Sequence, residues 1–235
     1  MNVLSELQRY VMHGVDADVG RIEDIYFDDQ HWVVRHLVAD SRHWLRDRWV
    51  LIPPAAVRTV DDARGRLEVA LTRTQVEQSP PIDTAKPVSR QHHADLCTYF
   101  GFPYDWTGPA VRRDPLAGIG GGDPHLRSAR ALTGHHVLAV DGEVGQAADF
   151  LIEVESWAIR YVVVRSGHRQ DSRHVLISPE WITGVSWEGR LLNVNLSCEA
   201  LRGAPRYDLS RPVDRAYETR LHDYYGRPPY WREKR

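Results

Sequence analysis

Trp157-Ala158-Ile159-Arg160-Tyr161-Val162-Val163-Val164 follows Trp32-Val33-Val34-Arg35-His36-Leu37-Val38-Ala39 at a distance of 125 positions, and the pairing of these two runs decides the fold. Outward from them the same displacement carries Val15-Asp16 to Val140-Asp141, Val19-Gly20 to Val144-Gly145, Asp24 to Asp149, and Val50-Leu51-Ile52 to Val175-Leu176-Ile177. It also relates Pro54 to Pro179, Pro87 to Pro212, Arg90 to Arg215, Tyr99 to Tyr224, Gly101 to Gly226 and Trp106 to Trp231. About 30 identities in roughly a hundred aligned positions keep this one offset without a gap, which marks an internal duplication.

The two copies span residues 4–106 and 129–231. The stretch between them contains Gly118-Ile119-Gly120-Gly121-Gly122-Asp123-Pro124, the composition of a flexible connector. No strand precedes these glycines and no Lys-Ser/Thr follows, so they do not form a phosphate-cradling loop. The expected domains are a barrel at 1–80, a helical and aromatic tail at 81–106, a linker at 107–127, a second barrel at 128–205 and a second tail at 206–235.

Within a copy, apolar runs at 19–27, 32–39, 49–52, 57–60 and 67–71 alternate with turn-forming clusters such as Asp28-Asp29-Gln30 and Asp61-Asp62-Ala63-Arg64-Gly65. Leu67, Val69 and Leu71, and again Leu192, Val194 and Leu196, occur at every second position, so one face of each last strand is buried. Short strands at this spacing predict a mainly β chain of two tandem small antiparallel barrels. Gly20 and Gly145 suit a bulge or tight bend. Each barrel is followed by a short helix, 90–99 or 215–224, with Ser89 or Asp214 as its N-cap and Gly101 or Gly226 at its end. The tails finish in aromatic clusters containing Tyr99 and Trp106 in one copy, and Tyr224, Tyr225, Tyr230 and Trp231 in the other. These rings either dock on a barrel or form a surface for a protein partner.

Thirty basic residues against thirty-two acidic ones give a net charge of -2 and no general footprint for nucleic acid. No apolar run approaches the roughly 20 residues of a membrane span, and no secretory leader is evident, so a cytoplasmic location is expected. Cys97 and Cys198 stand at non-equivalent positions outside any Cys-x-x-Cys spacing and are expected to be reduced thiols. The doublets His92-His93 and His135-His136 are poor chelators, because adjacent side chains point in different directions. Neither metal nor cofactor is expected.

Three further groups recur in both copies. His43 and His168 occupy a loop and would titrate near neutral pH. Ser41 and Ser166 lie two residues before them, but no Gly-x-Ser-x-Gly elbow accompanies the pair, so hydrolysis is not expected. Arg35 and Arg160 lie in the middle of apolar strands and require a carboxylate partner; Asp24 and Asp149 on the preceding strands are the expected ones.

The pattern Glu23-Asp24-Ile25-Tyr26-Phe27, Trp32 to Asp40 and Val50-Leu51-Ile52-Pro53-Pro54, with its closer second version around Asp141-Gly142-Glu143-Val144-Gly145 and Trp157 to Val164, resembles the PRC-barrel domain. That family is named for the cytoplasmic H subunit of the photosynthetic reaction centre. The resemblance covers about 150 residues and implies six-stranded antiparallel barrels that dock to a larger complex, with no imported active site. The two-copy form with its Pro-Pro-Tyr-Trp tail is similar to stand-alone bacterial PRC-barrel proteins. The expected function is therefore a non-enzymatic adaptor with a protein partner, its two barrels forming a pseudo-two-fold pair within the chain, with a homodimer left open. The alternatives are a peripheral component of a photosynthetic or other electron-transfer membrane complex, and a small-ligand or enzyme cleft between barrels.

Overall fold

The computed structural model describes residues 1–45, 48–80, 90–102, 125–167 and 173–232, with residues 90–94 described by their backbone alone. Strands dominate. The first half contains β1 (Asn2–Val3), α1 (Leu4–Leu7), β2 (Val11–His13), β3 (Asp18–Asp28), β4 (Val33–Asp40), β5 (Trp49–Ile52), β6 (Val57–Asp61), β7 (Arg66–Val69), α2 (Arg73–Glu77) and α3 (Arg90–Phe100). The second half contains β8 (Leu126–Ser128), α4 (Ala129–Leu132), β9 (His136–Ala139), β10 (Gly142–Glu153), β11 (Ala158–Ser166), β12 (Arg173–Ile177), β13 (Ile182–Ser186), β14 (Leu191–Val194), α5 (Cys198–Gly203) and α6 (Arg215–Tyr225). The order of elements is the same in both.

The chain divides into two compact bodies that do not coincide with the halves of the sequence. The N-terminal body comprises Ser5–Ala131 and Val154–Ala158; the C-terminal body comprises Met1–Leu4, Leu132–Glu153 and Ile159–Arg235. In the N-terminal body the strands run β6-β7-β2-β3-β4-β5, with β8 also on β3. In the C-terminal body they run β13-β14-β9-β10-β11-β12, with β1 also on β10. Asn2 and Val3 pair with Ile152 and Leu151, while Arg127 and Ser128 pair with Phe27 and Tyr26, positions related by the same 125 residues. Each body thus takes one short strand from the other half of the sequence. Leu126 and Arg127, expected in the linker, belong to that strand.

Two features depart from the expected antiparallel barrels. The β2–β7 and β9–β14 pairs are parallel, so the sheets are mixed. No strand pairing among the described residues closes either sheet. Between β5 and β6 the chain makes a 3-10 turn at Pro54–Ala56 behind Pro53, and prolines have no amide to continue a ladder.

Local chemistry explains the elements. Leu67 and Val69 are buried while Glu68 is half-buried, the period-two face of a strand. Thr72 and Gln75 cap α2 reciprocally, and Ser197 caps α5 through the Ala200 amide. Asp214 caps α6 through Tyr217, and Gly226 ends it in the left-handed region at φ 61°, as the sequence predicts. Ser89 lies outside the described residues. At Gly20 an added Cβ would lie 2.5 Å from the Asp40 carbonyl oxygen, and the β2–β3 register shifts beside it. Trp32 and Trp157, which open the two decisive runs, share φ values of 55° and 54°. A bulky residue rarely adopts that conformation, and here both rings are buried; Trp32 stacks 5.3 Å from Phe27.

Candidate functional site

Each strand arginine pairs with the acid that ends the preceding strand, and Asp24, expected beside Arg35, is engaged elsewhere. Arg35 Nη2 lies 3.4 Å from Asp28 Oδ2, with both side chains at 5% exposure or less. Its counterpart Arg160 lies 2.5 Å from Glu153, with both about a quarter exposed. Position 153 is 28 displaced by 125, so the pair recurs with a changed acid. The reason is register. Phe27 faces Val34 and Tyr26 faces His36, which leaves Arg35 as the extra residue of a bulge and turns it toward the hairpin end. Burial works to raise the Asp28 pKa, but His31 and the Gln30 and His31 amides outweigh it, and the carboxyl sits below its ordinary value.

Asp24 has a different task. Its carboxylate accepts from Ser128 Oγ at 2.5 Å, the Arg130 amide at 3.0 Å and the Ile25 amide at 2.8 Å, tying the exchanged β8 segment to β3. Burial dominates these bonds and pushes its pKa up. Asp149 accepts from the amide of Phe150.

One tyrosine of each tail is hydrogen-bonded to the short helix that precedes it in the chain. Tyr99 Oη donates to the Gln75 carbonyl within α2, and Tyr224 Oη donates to the equivalent Ala200 carbonyl of α5. The N-terminus of each short helix is held by an acid in a turn: Asp16 accepts from the Arg73 amide and Asp141 from the Cys198 amide. Beside those acids stand Val15 and Val140. Val15 is 60% exposed and Val140 69%, while Tyr99 and Tyr224 are 38% and 44% exposed. Each body therefore presents a short helix flanked by an exposed valine and a part-exposed tyrosine whose ring is fixed by its own hydroxyl. Behind it, Arg48 donates to the carbonyls of Glu77 and Ser79, and Arg173 to that of Ala204, completing the helix C-termini with a cation.

The remaining tail aromatics of the C-terminal body cover a buried polar cluster. Tyr161 Oη lies 3.1 Å from Glu218 Oε1 and 3.0 Å from His222 Nε2. Tyr230 Oη donates to the same Glu218 oxygen at 3.0 Å, and Arg215 pairs with the other at 3.0 Å. Glu218 and His222 are one turn apart on α6 and are 1% and 2% exposed. Because Tyr161 donates to the carboxylate, the imidazole must donate to Tyr161 through Nε2–H. The rings of Trp181 and Trp231 both stand edge-on, 5.3 Å from His222. Arg160 stacks 4.1 Å from the Tyr230 ring, Arg215 4.1 Å from Trp231, and Tyr225 packs 4.7 Å from Trp181. Burial lowers the His222 pKa and raises that of Tyr161; burial and the nearby Glu218 carboxylate push Tyr230 up to about 12.

His43 is exposed, as expected of a loop residue, whereas His168 and Trp106 lie outside the described residues. Ser41 is buried and its hydroxyl donates to the Val19 carbonyl at 2.7 Å. Cys97 and Cys198 are buried thiols that form no disulfide among the described residues, and burial raises their pKa values. Among the described residues no cluster of His, Cys, Asp and Glu has the arrangement of a metal site, and no helix is long and apolar enough to cross a membrane. Compared with protein-family models and with curated proteins, the chain matches none.

Sequence reading missed Tyr161, Glu218 and His222, and it passed over Val15 and Val140 as exposed groups. The signal for the first set was the spacing of Glu218 and His222 on one helix face; for the second it was identity at 15 and 140 in turns with no apolar partner in sequence.

Proposed function

We propose that the chain is a non-enzymatic protein-binding module, an adaptor built from two PRC-type barrels, that engages its partner through two equivalent patches. One observation carries this reading. Among the described residues the exposed large apolar side chains are Val15, Tyr99, Val140, Leu209 and Tyr224, and four of these five form two pairs related by 125 residues. A single exposed apolar residue means little. The same two positions left uncovered in both copies, each fixed beside a capped helix, indicate a surface kept for contact. The conformational entropy of Tyr99 and Tyr224 is already spent by their hydrogen bonds, which favours them as binding anchors.

The test is an affinity pull-down of the tagged chain from its native host, soluble and membrane fractions kept apart, with bound proteins identified by mass spectrometry. A stoichiometric partner retained by the natural chain and lost by the Val15→Asp/Val140→Asp double variant is the expected result. A partner found only in the membrane fraction would favour the peripheral electron-transfer component. Equal retention by both chains would refute the proposed surface.

A further inference from the structure

We propose that residues 226–231 form a strap over the C-terminal body that opens on acidification, with His222 as the titrating hinge and its release baring the rings of Tyr230 and Trp231. The strap is anchored on the buried cluster rather than on apolar surface alone. Tyr230 hydrogen-bonds Glu218 and lies under Arg160, Trp231 lies against His222 and under Arg215, and Arg227 ties the start of the strap to the Asn195 carbonyl. Gly226 sets the turn from α6 into the strap through its left-handed conformation.

The charged and titratable groups facing His222 are Tyr161 from β11, Glu218 from its own helix, Glu180 from the turn before β13, and Tyr230 through Glu218. Arg215 already neutralises Glu218, and Tyr161 stands between that carboxylate and the imidazole. A second proton on His222 therefore enters a buried site whose acids are Glu218, already paired with Arg215, and Glu180. Its Nδ1 is buried with no hydrogen-bond partner of normal geometry, lying near the backbone of Arg227 and Pro228. Opening the strap lets water reach that nitrogen.

The sign follows from linkage. Burial depresses the His222 pKa in the closed state, and an opened strap returns it toward the ordinary 6.5. Closure is thus fully supported above that value and is lost as pH falls from it toward the depressed one. One proton gives at most about a tenfold rise in the open-to-closed ratio per pH unit.

Residue-resolved hydrogen exchange on the full chain at pH 7.5 and 5.5 reads this directly, with the amides of Arg227, Tyr230, Trp231 and Arg232 as reporters and those of β10 and β11 as the control for global unfolding. Exchange rates are corrected for their intrinsic pH dependence. The expected result is lower protection of the strap at pH 5.5 while the strands keep theirs. His222→Gln, which retains a donor toward Tyr161 but does not titrate, should abolish that difference. Glu218→Gln should loosen the strap at both pH values. Strap protection that is independent of pH in the natural chain, or a pH effect that persists in His222→Gln, would overturn the proposal.

Discussion

The two halves of the sequence place an arginine–acid pair at equivalent positions but at different depths. Arg35–Asp28 is sealed, whereas Arg160–Glu153 is about a quarter exposed and shares its guanidinium with the Tyr230 ring. A second contrast lies behind the tail helices. The C-terminal body has Tyr161, Trp181, Glu218 and His222, where the first copy has His36, Ala56, His93 and Cys97. Backbone elements survived duplication while the polar contents behind the helix diverged. The difference separates what the fold requires, an acid for a strand arginine and a tyrosine for a short helix, from what one copy added to it.

The largest expected effect breaks the first contrast. Arg35→Met removes a buried cation and leaves Asp28 to its His31 and amide contacts, which should cost about 3 kcal/mol in chemical denaturation. Arg160→Met should cost only about 1 kcal/mol, because solvent screens the pair and part of the loss is stacking on Tyr230. Equal costs would show that depth does not distinguish the two sites.

A smaller effect sharpens the second contrast. Tyr161→Phe leaves His222 Nε2 without its acceptor and removes one donor from Glu218, at an expected cost of about 1–3 kcal/mol. Cys97→Ala, at the position equivalent to His222, should cost about 1 kcal/mol, since it removes one small buried group. A thermal melt of each variant makes the comparison, and a Tyr161→Phe chain as stable as the natural one would mean that the cluster is satisfied in some other way.

Much of the secondary structure was legible in the sequence, because strand alternation, caps and terminating glycines act locally. Leu67 and Val69 face inward, and Asp214 and Gly226 bound α6 where their chemistry places them. Identifying Asp28 rather than Asp24 as the arginine's partner required knowing a bulge, which depends on how two strands settle against each other. The exchange of β1 and β8 was hidden for a related reason: a two- or three-residue strand has no periodicity, and nothing in its composition says which body it joins. The buried cluster draws on β11, α6 and the strap, so only the Glu218–His222 spacing was local enough to read.

The central claim, two equivalent contact patches, is tested most directly by titrating the captured partner against four chains: natural, Val15→Asp, Val140→Asp and the double variant. Both substitutions replace exposed side chains and should change stability by no more than about 0.5 kcal/mol. The account predicts that each single variant weakens binding to a similar degree and that the double variant abolishes it. A double variant that binds as tightly as the natural chain would contradict it.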